Sequence, residues 1–252
     1  MVISMVMSQA LLRPKSSSLL NGLLAYWLYR EAVGVAKKDS RGGHHLSDAN
    51  NVAQSTGKFG YGAGFTNGQN QILTQTDDAL KLLNWTVASW IQFGSTAGEA
   101  TQRFFSRREL GGGFTWEAYR QSSKLSYIVY ANSTPTSVTS TLTVPNDGTW
   151  SCVFLQSDNS GAIGDPHKMY QRIFFNDGVE RDETKSNTYH ANGPDVTTAP
   201  FCVGNILLGG AGHTTGITAV IDETAVWNRA LSLSECQRYY NSNIGRRFPG
   251  QW

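Results

Sequence analysis

Apolar and polar positions alternate along most of this chain. In NWTVASWIQF, Asn84–Phe93, a period of two puts Trp85, Val87, Ser89, Ile91 and Phe93 on one side. Thr86, Ala88, Trp90 and Gln92 fall on the other, which predicts a strong strand. LLNGLLAYWLYREA, Leu19–Ala32, opens the ordered region, with Leu24, Tyr26 and Leu28 alternating with Ala25, Trp27 and Tyr29 as in a strand with two occupied faces. GKFGYGAGFTNGQNQILT predicts two short strands around glycines, and TDDALKLL one helical turn. RFFSRRELGGGFTWEAYRQSSKLSYIVYA predicts three strands, turning at Gly111–Gly113 and at Ser122-Ser123. STPTSVTSTLTV is β-branched and polar, as an exposed strand or loop pair would be. GTWSCVFLQSD reads as a buried strand, and Asp177-Gly178 as the turn of a hairpin. APFCVGNILLGG and GITAVIDETAVWN supply the last strands. Helical spacing is nearly absent until SLSECQRYYNSN, where Ser232 precedes Glu235 by three residues as in a capping box. Roughly twelve strand candidates and one helical turn predict an all-β architecture of two sheets, a jelly-roll or related sandwich, with a short C-terminal helical turn.

Composition narrows this picture. A chain of 252 residues is long enough to bury roughly 70–75% of its unfolded surface, so a core forms without disulfides or metals. Net charge is +2, and Lys37-Lys38, Arg107-Arg108 and Arg246-Arg247 are isolated pairs that read as solvated surface. Nucleic acid is therefore not an expected partner. Cys152, Cys202 and Cys236 are odd in number and lack CxxC spacing, and the first two sit among apolar strand residues, so buried free thiols are expected. In MVISMVMSQALLRPKSSS the charges Arg13 and Lys15 follow the short apolar run, the wrong order for a secretory signal. No stretch is long enough to cross a bilayer as a helix. The expected organisation is an arm at residues 1–20, one jelly-roll domain at 21–243 and a tail at 244–252.

The order of several motifs carries a resemblance. GLLAYWLYRE, DSRGGHHL, GKFGYGAGF, NWTVASWIQF, GTWSCVFL, RIFFNDGV and GITAVIDETAVWNRALSLSECQRYYN follow one another as do the strand and loop motifs of the LamG-like jelly-roll family of the concanavalin A-like lectin/glucanase superfamily. Each is weak alone, but seven in the right order over about Asn21 to Asn241 are specific for fold. The resemblance implies two antiparallel sheets, one of them concave. It leaves function open, since relatives bind glycans, bind proteins, coat particles or hydrolyse polysaccharides.

Candidate chemistry separates these roles. A retaining glycosidase needs two carboxyl groups about 5 Å apart on one surface. The laminarinase-like relatives carry them at alternate positions of one strand, and no such run occurs here. Asp222 and Glu223 are adjacent, so an unbroken strand points them to opposite faces, with Val220, Asp222, Thr224 and Val226 together and Ile221, Glu223, Ala225 and Trp227 together. Asp222 is expected to be a buried, hydrogen-bonded carboxylate and Trp227 a core residue. Glu180, Asp182 and Glu183 lie in a hydrophilic run after a turn. Calcium, which some laminin-type relatives hold, needs six to eight oxygen ligands. Asp39, Asp77, Asp78 and Asp158 are loop carboxylates without a local ligand set, so no cofactor is expected and calcium is left open without being indicated. His44-His45 lacks a third zinc ligand at strand or helix spacing. Nor is there a nucleophile in a strand–turn–helix setting.

Aromatic side chains remain. Sugars stack on exposed rings, and Trp116, Tyr119, Tyr127 and Tyr130 lie on two adjoining strand candidates. Within each pair the two rings face opposite sides, so only one of Trp116 and Tyr119, and one of Tyr127 and Tyr130, can face a groove. Trp27, Trp90, Trp150 and Trp227 fall in the family's strand motifs and read as structural. The expectation is a non-enzymatic structural or adhesion module, namely a bacteriophage capsid-decoration, fibre or tail component in a virion. Met1–Ser18 and Gly245–Trp252 would dock it to neighbouring structural proteins. The alternative is a secreted or cell-surface carbohydrate-binding lectin module, and a glycoside hydrolase comes third.

Overall fold

The computed structural model describes residues 19–95, 101–109, 113–131, 134–158, 167–174, 180–188, 199–208, 211–212 and 215–240. The expected docking segments, 1–18 and 245–252, and the pair Arg246-Arg247 lie outside them. In chain order the strands are β1 Leu23–Trp27, β2 Ser47–Ala49, β3 Ala53–Gly57, β4 Gly60–Phe65, β5 Ile72–Gln75 and β6 Trp85–Phe93. Next come β7 Gln102–Glu109, β8 Gly113–Gln121, β9 Lys124–Ala131, β10 Thr134–Thr139, β11 Trp150–Asp158 and β12 His167–Phe174. The rest are β13 Glu180–Thr188, β14 Phe201–Val203, β15 Leu207–Leu208, β16 Ala211–Gly212 and β17 Ala219–Trp227, followed by helix α1, Leu233–Tyr240. A single 3₁₀ turn, Asp78–Leu80, stands where one helical turn is predicted.

Two sheets result. The first runs β13-β12-β11-β6-β17-β4-β3, with β1 also on β17, and the second runs β10-β9-β8-β7-β14-β5-β2, with β15 beside β7. Pairing is antiparallel except between β15 and β7. The all-β jelly-roll sandwich predicted from the alternation is the observed architecture. β6 shows why the sheets stack. Trp85, Val87, Ile91 and Phe93 enter the inter-sheet core, while Ala88 and Trp90 enter a second apolar cluster on the sheet's outer side. β11 repeats this, with Val153 and Leu155 inside and Cys152 and Phe154 outside.

Helix α1 closes that outer cluster. Its start is the expected capping box: the Glu235 amide donates to Ser232 Oγ (3.3 Å) and the Ser232 amide to Glu235 Oε2 (2.9 Å). Arg229 donates to both Glu235 oxygens, and this pairing holds the carboxyl down at about 2. Tyr239 packs edge-on to Trp227 and Phe154, and Tyr240 stacks on Trp90. Leu19 belongs to the same cluster and accepts a hydrogen bond from Trp227 Nε1.

Other expectations need correction. Lys37 and Arg107 are not solvated surface. Lys37 is buried on Asp48 (3.2 Å) and the Ala32 carbonyl, and Arg107 lies inside, opposite Trp116, with burial lowering its guanidinium to about 10. All three cysteines are buried, and none is in a disulfide.

The loop after β1 is organised by one carboxylate. Asp39 Oδ1 accepts from the amides of Tyr26 and Arg41, and Oδ2 from those of Gly42, Gly43 and His44, at 2.8 to 3.2 Å. Desolvation raises the Asp39 pKa, but the backbone donors outweigh it and hold the group below its ordinary value. The stability it contributes is present above the ordinary carboxylate pKa and is lost as pH falls towards the lowered folded value. Asp39→Asn, which removes the charge and one acceptor oxygen, should destabilise by roughly 2–4 kcal/mol. The check is a lowered urea midpoint at pH 7 that converges towards wild type near pH 3.

Candidate functional site

The four aromatic candidates divide by face. Trp116 stacks on Trp85 at 4.4 Å between ring centroids and meets Tyr127 edge-on, and both are buried in the inter-sheet core. Neither ring reaches a ligand, which corrects the binding role expected for them. Their alternation partners turn the other way. Ala118 and Val129 are core residues, so Tyr119 and Tyr130 stand on the outer face of the second sheet, each half-buried. Tyr130 lies within electrostatic reach of Tyr119, and burial raises its phenol above the ordinary value, so it is a neutral donor at physiological pH.

Around these rings stands a polar group that the alternation only partly revealed. Glu117, between Trp116 and Ala118 on β8, faces outward with Tyr119. Arg103 Nε donates to Glu117 Oε2 (2.8 Å), Arg108 Nη1 donates to Oε1 (2.7 Å), and Arg103 Nη1 donates to Thr215 Oγ1 (2.6 Å). A strict period of two puts Arg103 and Arg108 on opposite sides of β7. The register shift at Arg103/Phe105, where Phe104 is the extra residue of β7, reverses that order and brings both to Glu117. The hairpin below is exact in its turn chemistry: Ser122 (φ 48°) and Ser123 (φ 65°) both adopt the left-handed conformation that suits a two-residue connection. Ser126 and Thr139 hydroxyls share a hydrogen bond farther along the same face.

Asp222 and Glu223 do not form a working pair. β17 bulges between Asp222 and Ala225, with Glu223 at φ 48°. The bulge reverses the expected alternation, so that Ile221 and Val226 are core residues while Ala225 and Trp227 lie under α1. Asp222 stands opposite outward-facing Trp90, and its Oδ2 accepts from the Phe59 amide (2.9 Å). That contact explains Gly57, where a Cβ would come within 2.6 Å of Asp222 Oδ2. Burial raises the pKa values of Cys152, under α1, and of Tyr239, on α1 itself, and the nearby Glu223 carboxylate adds to both shifts. Both carboxylates are thus on the helix-covered side, each only 1% exposed, rather than on opposite faces.

The loop carboxylates are likewise occupied by the fold. Asp39 holds backbone amides, Asp77 caps the 3₁₀ turn through the Ala79 amide and meets His44 Nδ1 at 2.9 Å, and Asp78 pairs with Lys81. His45 Nδ1 accepts from the Asp39 amide. Among the described residues no three His, Cys, Asp or Glu side chains gather as a metal site. The side chains of Glu180, Asp182 and Glu183 lie outside the described residues. A separate cleft of about 280 Å³ opens on the first sheet, lined by Ser55, Gly64, Gln92, Asn146, Thr218 and Val220 among others. Phe65 and Phe93 border it, but both are core residues, so the cleft offers no aromatic platform.

The fold can be placed among known proteins on this geometry. Residues 66–237 match the Laminin_G_3 family model, that of the concanavalin A-like lectin/glucanases superfamily. The chain belongs to this superfamily. No curated protein matches it. Among solved structures it resembles the binding domain of Paraclostridial Mosquitocidal Protein 1 at TM-score 0.62 and 13% identity, over 88% of this chain and 52% of that one. The receptor-binding domain of botulinum neurotoxin type G is similar at TM-score 0.60 and 14% identity, over 88% and 52%. So is a structure of botulinum neurotoxin type C, whose cell entry depends on interaction with two ganglioside molecules, at TM-score 0.61 and 14% identity over 90% and 53%. The chain therefore spans about half the length of these domains, and identities this low establish the shared lectin-like fold alone.

Two substitutions test these assignments. Trp116→Ala should cost roughly 3–5 kcal/mol as a core truncation, read as a fall in melting temperature. Asp222 is raised by burial from 3.8 to about 6, against the pull of the Phe59, Glu223 and Lys58 amides. A carboxyl that binds its proton more tightly when folded lowers stability as pH rises from about 4 to about 6, here by roughly 3 kcal/mol. Denaturant titrations should show this fall in wild type and its absence in Asp222→Asn.

Proposed function

We propose that this protein is a non-catalytic attachment module that binds a glycan through the outer face of the second sheet. The carrying observation is the placement of Tyr119 and Tyr130, two half-buried rings on neighbouring strands beside Arg103, Arg108 and Glu117, while α1 and Leu19 cover the outer face of the first sheet. Ring faces suit the apolar faces of sugars, and phenol, hydroxyl and guanidinium groups suit their hydroxyls. Binding by domains of the same fold supports the reading, as does the ganglioside dependence of botulinum neurotoxin type C. The non-enzymatic part rests on the carboxylates: Asp222 and Glu223 are sealed under a helix, and Glu117 is clamped by two arginines.

The setting proposed for this module is a virion, as a bacteriophage capsid-decoration, fibre or tail component, with a secreted or cell-surface lectin as the second reading. The attachment role draws support from the described residues that adjoin the two expected docking segments. Leu19 and Tyr240 both sit in the apolar cluster beneath α1, on the side opposite the tyrosines. Partners held by residues 1–18 and 245–252 would leave the tyrosine face outward.

A glycan array tests the recognition. Wild type should bind a restricted set of glycans, and Tyr119→Ala or Tyr130→Ala should weaken binding at least tenfold with the fold retained by circular dichroism. Undiminished binding in both variants would move the site elsewhere. Deleting residues 1–18 should leave a folded monomer that no longer enters the particle, and normal incorporation would refute the docking role.

A further inference from the structure

We infer that the sugar taken by the tyrosine face is anionic, carrying a carboxylate or a sulfate, an inference that rests on the glycan-binding reading above. It follows from the layering of charge. Glu117 lies at the bottom, its side chain 4% exposed, while the Arg103 and Arg108 side chains above it are 16% and 17% exposed. A ligand descending on this face meets guanidinium groups first and the carboxylate last. Two cations hold one acid, in a setting already partly withdrawn from water, where charge interactions are stronger than in bulk solvent. Arginine suits the task because its planar fork matches a carboxylate or sulfate while also holding its own partner. Tyr119 and Tyr130 supply the rest of the recognition: ring faces for the sugar's apolar patches and phenol hydroxyls for its oxygens.

The geometry also limits how strongly the anion is held. Each arginine already holds Glu117 through one bond, so the ligand shares the guanidinium groups and does not displace the acid. The charge contribution should therefore be salt-sensitive, as expected for a partly exposed ion pair.

Matched pairs test this on the wild-type protein: sialyllactose against lactose, and a sulfated galactan oligosaccharide against its desulfated parent, by calorimetry at 50 and 500 mM NaCl. The acidic member of at least one pair should bind ten times or more tighter at low salt, and the preference should shrink several-fold at high salt. Arg108→Gln, with folding checked by its melting temperature, should narrow the preference while retaining the neutral sugar. Should that variant fail to fold, the salt dependence of the wild-type pairs decides alone. Equal affinity within each pair would overturn the anionic inference and leave the glycan reading standing. Binding to no sugar, acidic or neutral, on the array or in these titrations would overturn both.

Discussion

The structure depends on β6 being apolar on both sides. A strand with Trp85, Ile91 and Phe93 on one face and Ala88 and Trp90 on the other stays dry only if both faces of its sheet are covered. The second sheet covers one. The other has to be covered by something that is not a sheet, and the chain uses α1 together with Leu19 and Leu23. Trp227 joins these parts: its indole Nε1 bonds Leu19 O while Tyr239 packs against its ring. The capping box at Ser232 and Glu235 therefore has a consequence beyond helix stability, since it sets where Tyr239 and Tyr240 fall on the sheet. With the first sheet enclosed in this way, the outer face of the second is where half-buried aromatic and charged side chains stand together.

The same covering settles the fate of the carboxylates on the closing strand. A β-bulge moves Asp222 and Glu223 to one side, which is the geometry a hydrolytic pair requires, and then the helix seals that side. Asp222 is used as an acceptor for the β3–β4 turn, at a cost visible in its raised pKa. At Gly57 any side chain would meet that carboxylate and the Tyr61 backbone, each at 2.6 Å. The arrangement is a backbone fastening, and the acid group is part of the scaffold.

Period-two alternation was enough to read much of this from residues alone. It assigned both faces of β6 and separated Trp116 from Tyr119 and Tyr127 from Tyr130, while the capping-box spacing of Ser232 and Glu235 marked the start of α1. It failed where the strands break their own period. The bulge at Glu223 reversed the order after Asp222, and the register shift at Arg103/Phe105 in β7 brought Arg103 and Arg108 to one carboxylate. Burial of charge was the other blind spot. Lys37 and Arg107 look like surface residues in a sequence because nothing local announces their partners: Asp48 lies on another element, and Arg107 takes its place opposite Trp116 only once β7 and β8 pair. Of the site, the tyrosines were legible and the arginines were not, since a bulge is a property of two strands in register and not of either alone.

That division of the aromatic residues also bears on how the candidate site is held. Trp116 and Tyr127 lock β8 and β9 into the core through contacts with Trp85, each such aromatic pair being worth about 0.5–1.5 kcal/mol beyond its buried area. Glu117 and Tyr119 follow Trp116 on β8, and Tyr130 follows Tyr127 and Val129 on β9, so their backbone positions are set by side chains on the opposite face. A site mounted on central strands holds its geometry better than one on loops. Tyrosines with only two side-chain torsions lose little entropy on contact. Rings buried on one face thus organise the rings displayed on the other, and the core and the proposed recognition surface are two sides of the same pair of strands.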